Sequence, residues 1–394
     1  MPVSATTNPY RNLAVTVVAL GLVLNSGIAV WALLTRPALN TDFMAFWSFP
    51  RFAAAGDVMG IYDAAKLQAF QQTLYPGFHS FYPYLYPPTL LLVTGWLRDF
   101  SFAAAQMIWT VAGLSALMAA EWFFFPKHRR AFGIAAMLGS PAALLTGATG
   151  ETAFFTTALL LAGFTALPRF PILAGIAFGL LTLKPQLGVL IPVFLLARGD
   201  WRAIGAAAGT GLALVALSCV LFPPALWPEW ALTLPAYQAD YFSAGGRLNL
   251  NIIVTIAANL VTLGAGAKIA CAAQTLSSFA VIIAVFFAAR RAPYHLAVAA
   301  LFTGIFLTAP HAYAYDSIIL TASLILVAES GVGRGFLAIA LVIYLGPLLL
   351  LTPISHWFLY AIPEAILFIL ILRLAFAAVP RDSAAHKPGV TRNA

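Results

Sequence analysis

The sequence predicts an all-α polytopic membrane protein. Three observations lead there. Apolar residues fill 62% of the 394 positions and charged residues only 9%, with a mean hydropathy of +0.91. A water-soluble domain carries about 25% charged residues, so this chain lacks the polar groups to cover a wet surface. Long apolar stretches recur from Leu13 to Val379 and leave no room for a large soluble domain. Basic residues gather between alternate stretches, the pattern of cytoplasmic loops. The formal net charge of +8 therefore follows topology, and no nucleic-acid partner is expected.

The expected spans are 13–34, 102–124, 131–148, 151–167, 171–184, 186–197, 203–222, 267–289, 294–310, 314–329, 335–351 and 356–378, about twelve in all. The first is too long for a signal-peptide core and has no small-residue cleavage site before a soluble region. Two further apolar runs are ambiguous. Residues 87–97 are short, Pro-led and end in Arg98-Asp99, and 250–264 carry Asn251 and Asn259 on one helical face. Charge decides between their placements. With the N-terminus inside and both runs lying on the outer surface as short helices, fourteen of the 21 basic residues fall at the cytoplasmic face. The clusters Lys127–Arg130, Arg198 with Arg202, and Arg290–Arg291 all agree. A crossing at 87–97 would send Lys127–Arg130 outside, against the positive-inside rule.

The chain thus reads as one transmembrane domain over 1–380 with both termini cytoplasmic, followed by a polar cytoplasmic tail at 381–394. Two outer loops, about 36–101 and 223–266, are long enough to call for a functional reason. Lys184-Pro185 separates two short apolar runs and predicts a broken helix pair turning at the outer face. Cys219 and Cys271 show neither metal spacing nor a disulfide framework and are expected as small buried residues.

The residues able to do chemistry sit at the expected outer ends of spans. Asp42, in Asn40-Thr-Asp-Phe, follows the first span; a carboxylate there can take a proton from a hydroxyl, and it can also cap the next helix. Phe81-Tyr-Pro-Tyr-Leu-Tyr-Pro-Pro88 is a stiff aromatic segment; Tyr84 and Tyr86 offer ring faces and hydroxyls suited to a sugar, or to an interfacial belt. Lys184 is the one cation between Arg169 and Arg198. An ionisable side chain within a span costs about 2.5–3.5 kcal/mol and marks a functional candidate. Beside Gln186, it can hold a phosphate as a point charge or snorkel to the interface. In Ala309-Pro-His-Ala-Tyr-Ala-Tyr-Asp, His311, Tyr313 and Asp316 can bind a phosphate or a sugar hydroxyl, and His311 can give a proton to a leaving group. Glu151 follows an outer turn, and Arg247 and Asn249 occupy the second outer loop as hydrogen-bonding candidates. The sequence carries no P-loop, dinucleotide-binding glycine run, HExxH or Asp-x-Asp. No cofactor or metal is expected.

These motifs, taken in order, resemble glycosyltransferase family 87, the polyprenol-phosphate-mannose-dependent mannosyltransferase-like proteins of the GT-C membrane fold. The resemblance spans about 36–330. It rests on Thr41-Asp-Phe with Gly56 through Ile61-Tyr-Asp, Tyr84-Leu-Tyr-Pro-Pro88, Ser140-Pro with Gly150-Glu, Gly179 through Lys184-Pro-Gln, and Pro310-His-Ala-Tyr-Ala-Tyr-Asp. The chain departs from the family in having Gly150-Glu151 where Gly-Gln is common, and in the residues after Pro310. The resemblance implies that Asp42 is the catalytic acidic residue and that His311 belongs to the active site. It implies an inner-membrane enzyme working at the periplasmic face. The expected reaction is inverting transfer of a hexose, mannose first, from a polyprenyl-phosphate donor to a lipid or glycan acceptor. The competing expectations are a lipid or solute transporter, or a ligase or polymerase that moves whole glycans.

Overall fold

The computed structural model describes residues 9–35, 41–74, 80–241, 252–330, 333–352 and 359–377. The described residues are overwhelmingly helical. The helices are α1 (Pro9–Thr35), α2 (Phe43–Ala54), α3 (Ala64–Leu74), α4 (Leu90–Thr94), α5 (Phe102–Phe124), α6 (Arg130–Leu138), α7 (Pro141–Thr149), α8 (Ala153–Ala166), α9 (Pro171–Leu180), α10 (Pro185–Gly188), α11 (Leu190–Arg198), α12 (Trp201–Leu221), α13 (Leu226–Tyr241), α14 (Ile256–Thr262), α15 (Ala267–Arg291), α16 (Tyr294–Thr308), α17 (Ile318–Ala328), α18 (Arg334–Leu349) and α19 (Ala361–Ala377).

Four of them, α1, α5, α12 and α15, are long and apolar enough to cross a membrane unbroken, and α6 with α7 makes a fifth if the bent pair is one span. The remaining expected spans are present as apolar helices shorter than a full bilayer crossing. Proline cuts several of them: Pro141, Pro171 and Pro185 each open a helix, where the missing N–H costs nothing. The ambiguous runs became α4 and α14, of 5 and 7 residues, far too short to cross.

Burial separates two kinds of apolar helix. In α16 and α17 nearly every residue is buried, so they form the centre. α1 and α12 are also strongly apolar yet bury only 6% of their membrane-length windows inside the protein. An exposed face of that composition fits lipid, which takes the place of a protein neighbour. Cys271 is likewise exposed on α15, against the expectation of burial, while Cys219 is half-buried. Lipid contact satisfies a small apolar side chain as well as a core does.

Close helix contacts run through small residues, because dispersion is what remains when both neighbours and lipid are apolar. Gly175 and Gly179, four apart on α9, press against Ala203, Ala207 and Thr210 of α12. Gly21 of α1 presses on Gly139, at the 52° bend between α6 and α7. The bend has a cause. Pro141 cannot donate to the preceding turn, and Asn25 of α1 donates to the carbonyls of Leu138 (2.8 Å) and Ser140 (3.0 Å). The expected straight span at 131–148 is therefore a kinked one.

Candidate active site

α2 and the extended segment 80–88 build one wall of a cavity of about 250 Å³. Prolines keep residues 80–88 out of any helix or sheet, so side chains must satisfy the backbone. Buried Gln71 of α3 satisfies both backbone groups of Tyr82: its Oε1 accepts from Tyr82 N (3.1 Å) and its Nε2 donates to Tyr82 O (2.9 Å), as well as to Ser48 Oγ (3.2 Å). Trp230 donates to Leu85 O, Tyr62 to Tyr86 O, and Tyr84 to Pro87 O. Gln71→Leu would leave several of these groups unpaired at about 1–3 kcal/mol each. A lower unfolding temperature and reduced turnover together are the expected result in a melt and an activity assay.

Asp42 stands at the N-cap position of α2, but its side chain makes no cap hydrogen bond. It accepts a hydrogen bond from Tyr82 and faces the cavity instead. Burial pushes its carboxyl up to about 6, with Lys184 and the Tyr82 hydroxyl opposing.

Lys184 occupies the break between α9 and α10. Its φ of −134° and ψ of 71° turn the chain, and Pro185 restarts the helix. The side chain is buried, and Nζ lies 2.6 Å from Asp316 Oδ1 and 3.4 Å from Thr152 Oγ1. Asp316 lies behind the cavity wall and is steadied by the Tyr313 N–H on Oδ2 (3.3 Å). The lysine thus meets the cavity already paired.

Residues 309–316 form the opposite wall. Val254 N donates to Ala312 O (2.9 Å), which fixes the segment and presents His311, Tyr313 and Tyr315 to the cavity. Tyr313 and Tyr315 stack at 5.1 Å between centroids. Tyr315 donates to Glu151 Oε1 (3.1 Å), and the Thr152 N–H donates to Oε2 (3.1 Å). Because α8 begins at Ala153, Glu151 belongs to the preceding turn. Burial pushes its carboxyl up to about 7, opposed by Lys184 and reinforced by Asp42 and Asp316. Burial first, then Lys184, push His311 down to about 4, so the ring is neutral; its buried Nδ1 has no hydrogen-bond partner among the described residues.

Of the residues singled out in sequence, Asp42, Tyr86, Glu151, Lys184, Gln186, His311 and Tyr313 all line this one cavity. Tyr84 does not. Its ring is packed edge-on against Phe49 at 4.7 Å, and its hydroxyl is spent on Pro87. Arg247 and Asn249 lie outside the described residues. Tyr82 and Tyr315, not singled out, hold the two cavity carboxylates; both belong to motifs whose neighbours were chosen.

A second cavity, of about 530 Å³, runs between α4, α5 and α8. Its walls are almost wholly apolar, with Leu90, Ala116, Ala120, Phe155 and Ala162 among them. Tyr86 and Lys184 line both cavities, so the two meet there.

No curated protein and no solved structure matches this chain. The model of glycosyltransferase family 87 matches residues 84–310, more than half of the sequence; that span contains Tyr86, Glu151, Lys184 and Gln186 of the cavity, while Asp42, Tyr82, His311, Tyr313 and Tyr315 lie outside it. The chain belongs to glycosyltransferase family 87 and is a membrane glycosyltransferase.

Proposed function

We propose that the enzyme transfers a hexose, mannose first among candidates, from a polyprenyl-phosphate sugar to a hydroxyl of a lipid or glycan acceptor, with inversion. The observation that carries this reading is the junction of an apolar cavity and a polar one at Lys184 and Tyr86. A lipid-linked sugar has that division: a hydrocarbon tail, then a phosphate, then a sugar. The tail fits between α4, α5 and α8, the phosphate reaches Lys184, and the sugar enters the cavity with Asp42.

Asp42 takes the proton from the acceptor hydroxyl. The acceptor oxygen forms a bond to the anomeric carbon as the bond from that carbon to the phosphate oxygen breaks, and the electron pair leaves with polyprenyl phosphate. A phosphate monoester has a second pKa near 6, so the leaving group departs as an anion without an added proton. Lys184 stabilises that charge, and His311, neutral before the donor arrives, serves as a hydrogen-bond donor to it. Tyr82 orients Asp42. In this reading the fold is GT-C with about twelve spans in the inner membrane, both termini cytoplasmic and the cavity open to the periplasm.

The tail assignment has its own test. Ala162→Phe fills the apolar cavity at a distance from the phosphate. Displacing two carbons costs about 1.6 kcal/mol, about tenfold in affinity. The donor KM should rise about tenfold for a long polyprenyl chain and little for a short-chain analogue that ends before the block. Equal effects on both donors would remove the tail from this cavity.

A further inference from the structure

We infer that the apolar cavity is a length gauge for the donor lipid: it holds about the first three to four prenyl units inward from the phosphate and leaves the rest of the chain to the bilayer. The inference rests on the proposed reading for the phosphate at Lys184, and on helix geometry for the length.

The gauge has a fixed zero. Thr152, at the start of α8, lines the apolar cavity and lies 3.4 Å from Lys184 Nζ. On α5, Trp109 is joined to Tyr86 through Phe46, whose ring stands 5.6 Å from each. From this level α5 and α8 run side by side. Trp109 and Phe155 are 4.6 Å apart between centroids, and Phe124 and Phe164, in the last turns, both pack on Phe302 at 6.2 and 5.4 Å. Lining residues continue down both helices, to Phe123 on α5 and to Ala162 on α8. At about 1.5 Å per residue, Trp109 to Phe123 spans about 21 Å and Thr152 to Ala162 about 15 Å. A prenyl unit puts four carbons into the chain and advances about 5 Å when extended, given carbon–carbon bonds of about 1.5 Å. The cavity therefore takes about three units along α8 and about four along α5.

The lining gives this length its meaning. Its charged and hydroxyl side chains, Tyr86, Lys184, Thr152 and Thr156, sit at the junction or within about a turn of it. Deeper walls are aliphatic or aromatic, and a larger side chain at Ala116 or Ala162 would enter the space. Ala119 and Ala162 are exposed, so the cavity opens along its flank to lipid and a tail enters sideways. Phe123 is 72% exposed, and on α5 the wall ends there. A tail moving from lipid to protein gains packing contacts, not release from water. Carbons beyond the cavity touch lipid before and after binding and add nothing. Recognition thus saturates with chain length at the end of the cavity.

Thermal melts of the purified protein in lipid nanodiscs, with sugar-free polyprenyl phosphates at equal mole fraction in the bilayer, test this without any transfer. In wild type the rise in melting temperature should grow from two to three to four prenyl units and stay level from four to eight. Ala116 lies about 10 Å inward from Trp109, the reach of two units, and Ala162 about 15 Å inward from Thr152, the reach of three. Ala116→Phe should therefore remove the gain from the third and fourth units, and Ala162→Phe only the gain from the fourth. Ala116 is half-buried and Ala162 exposed, so both variants should melt near wild type without ligand. The wild-type series can overturn the inference by itself, through a rise that keeps growing from four to eight units or is the same at every length. Equal losses from the two substitutions at every length would also overturn it. Failure of the lipid-phosphate reading looks different: no chain length would stabilise the wild-type protein, and both ideas would fall together.

Discussion

Asp42→Asn is expected to lower turnover about 10²–10⁴-fold, the usual worth of a positioned general base, with the fold intact. The fold should survive because the Asp42 side chain caps nothing. α2 is held by Phe43, Met44, Phe46 and Phe49, all fully buried. Asparagine keeps the size of the side chain and a carbonyl oxygen for Tyr82, and loses the negative charge together with the ability to take a proton. The wild-type rate should fall on the acid side as Asp42 gains a proton near pH 6. That limb should vanish in the variant. Single-turnover rates across pH, with a thermal melt of each protein, check both halves.

Lys184→Met should be the most damaging single change to stability, and it should cost transfer as well. It leaves Asp316, 2% exposed, without its cation. Removing one member of a buried ion pair costs about 3–5 kcal/mol, whereas replacing both by neutral groups is often nearly neutral. The double variant Lys184→Met/Asp316→Asn should therefore recover most of the lost stability. It should not recover transfer, because the phosphate has lost its charge partner; one such electrostatic contact is worth about 10²–10³ in rate. Recovery of transfer with stability would reduce Lys184 to a structural role. Denaturant or thermal unfolding of the three proteins, beside their transfer rates, separates the two roles.

Much of the architecture was legible because hydrophobicity is a local property. Each expected span corresponds to a helix, or, at 131–148, to a bent pair of helices. Lys184 stood out because a lone cation amid apolar residues has few physical excuses. The cavity's membership was partly legible too, since Asp42, Glu151, Lys184 and His311 all sit at breaks between apolar runs. What sequence hid was pairing. Lys184 and Asp316 are separated by 132 positions, and nothing local says that one neutralises the other. Tyr82 and Tyr84 are equivalent in the string of letters. The hydroxyl that Pro87 claims and the ring that Phe49 claims belong to Tyr84, which leaves Tyr82 for Asp42. The kink at Ser140-Pro141 depends on Asn25, more than a hundred residues earlier, to receive its carbonyls.

The central claim is that the sugar arrives on a lipid phosphate. It is tested most directly by giving the purified enzyme synthetic polyprenyl-phosphate mannose and membrane lipid extract, and measuring labelled product and free polyprenyl phosphate. The account predicts both in equal amounts from wild type, with nucleotide-linked mannose inactive in the same assay. Transfer from the nucleotide sugar, with the lipid-linked donor inert, would contradict it.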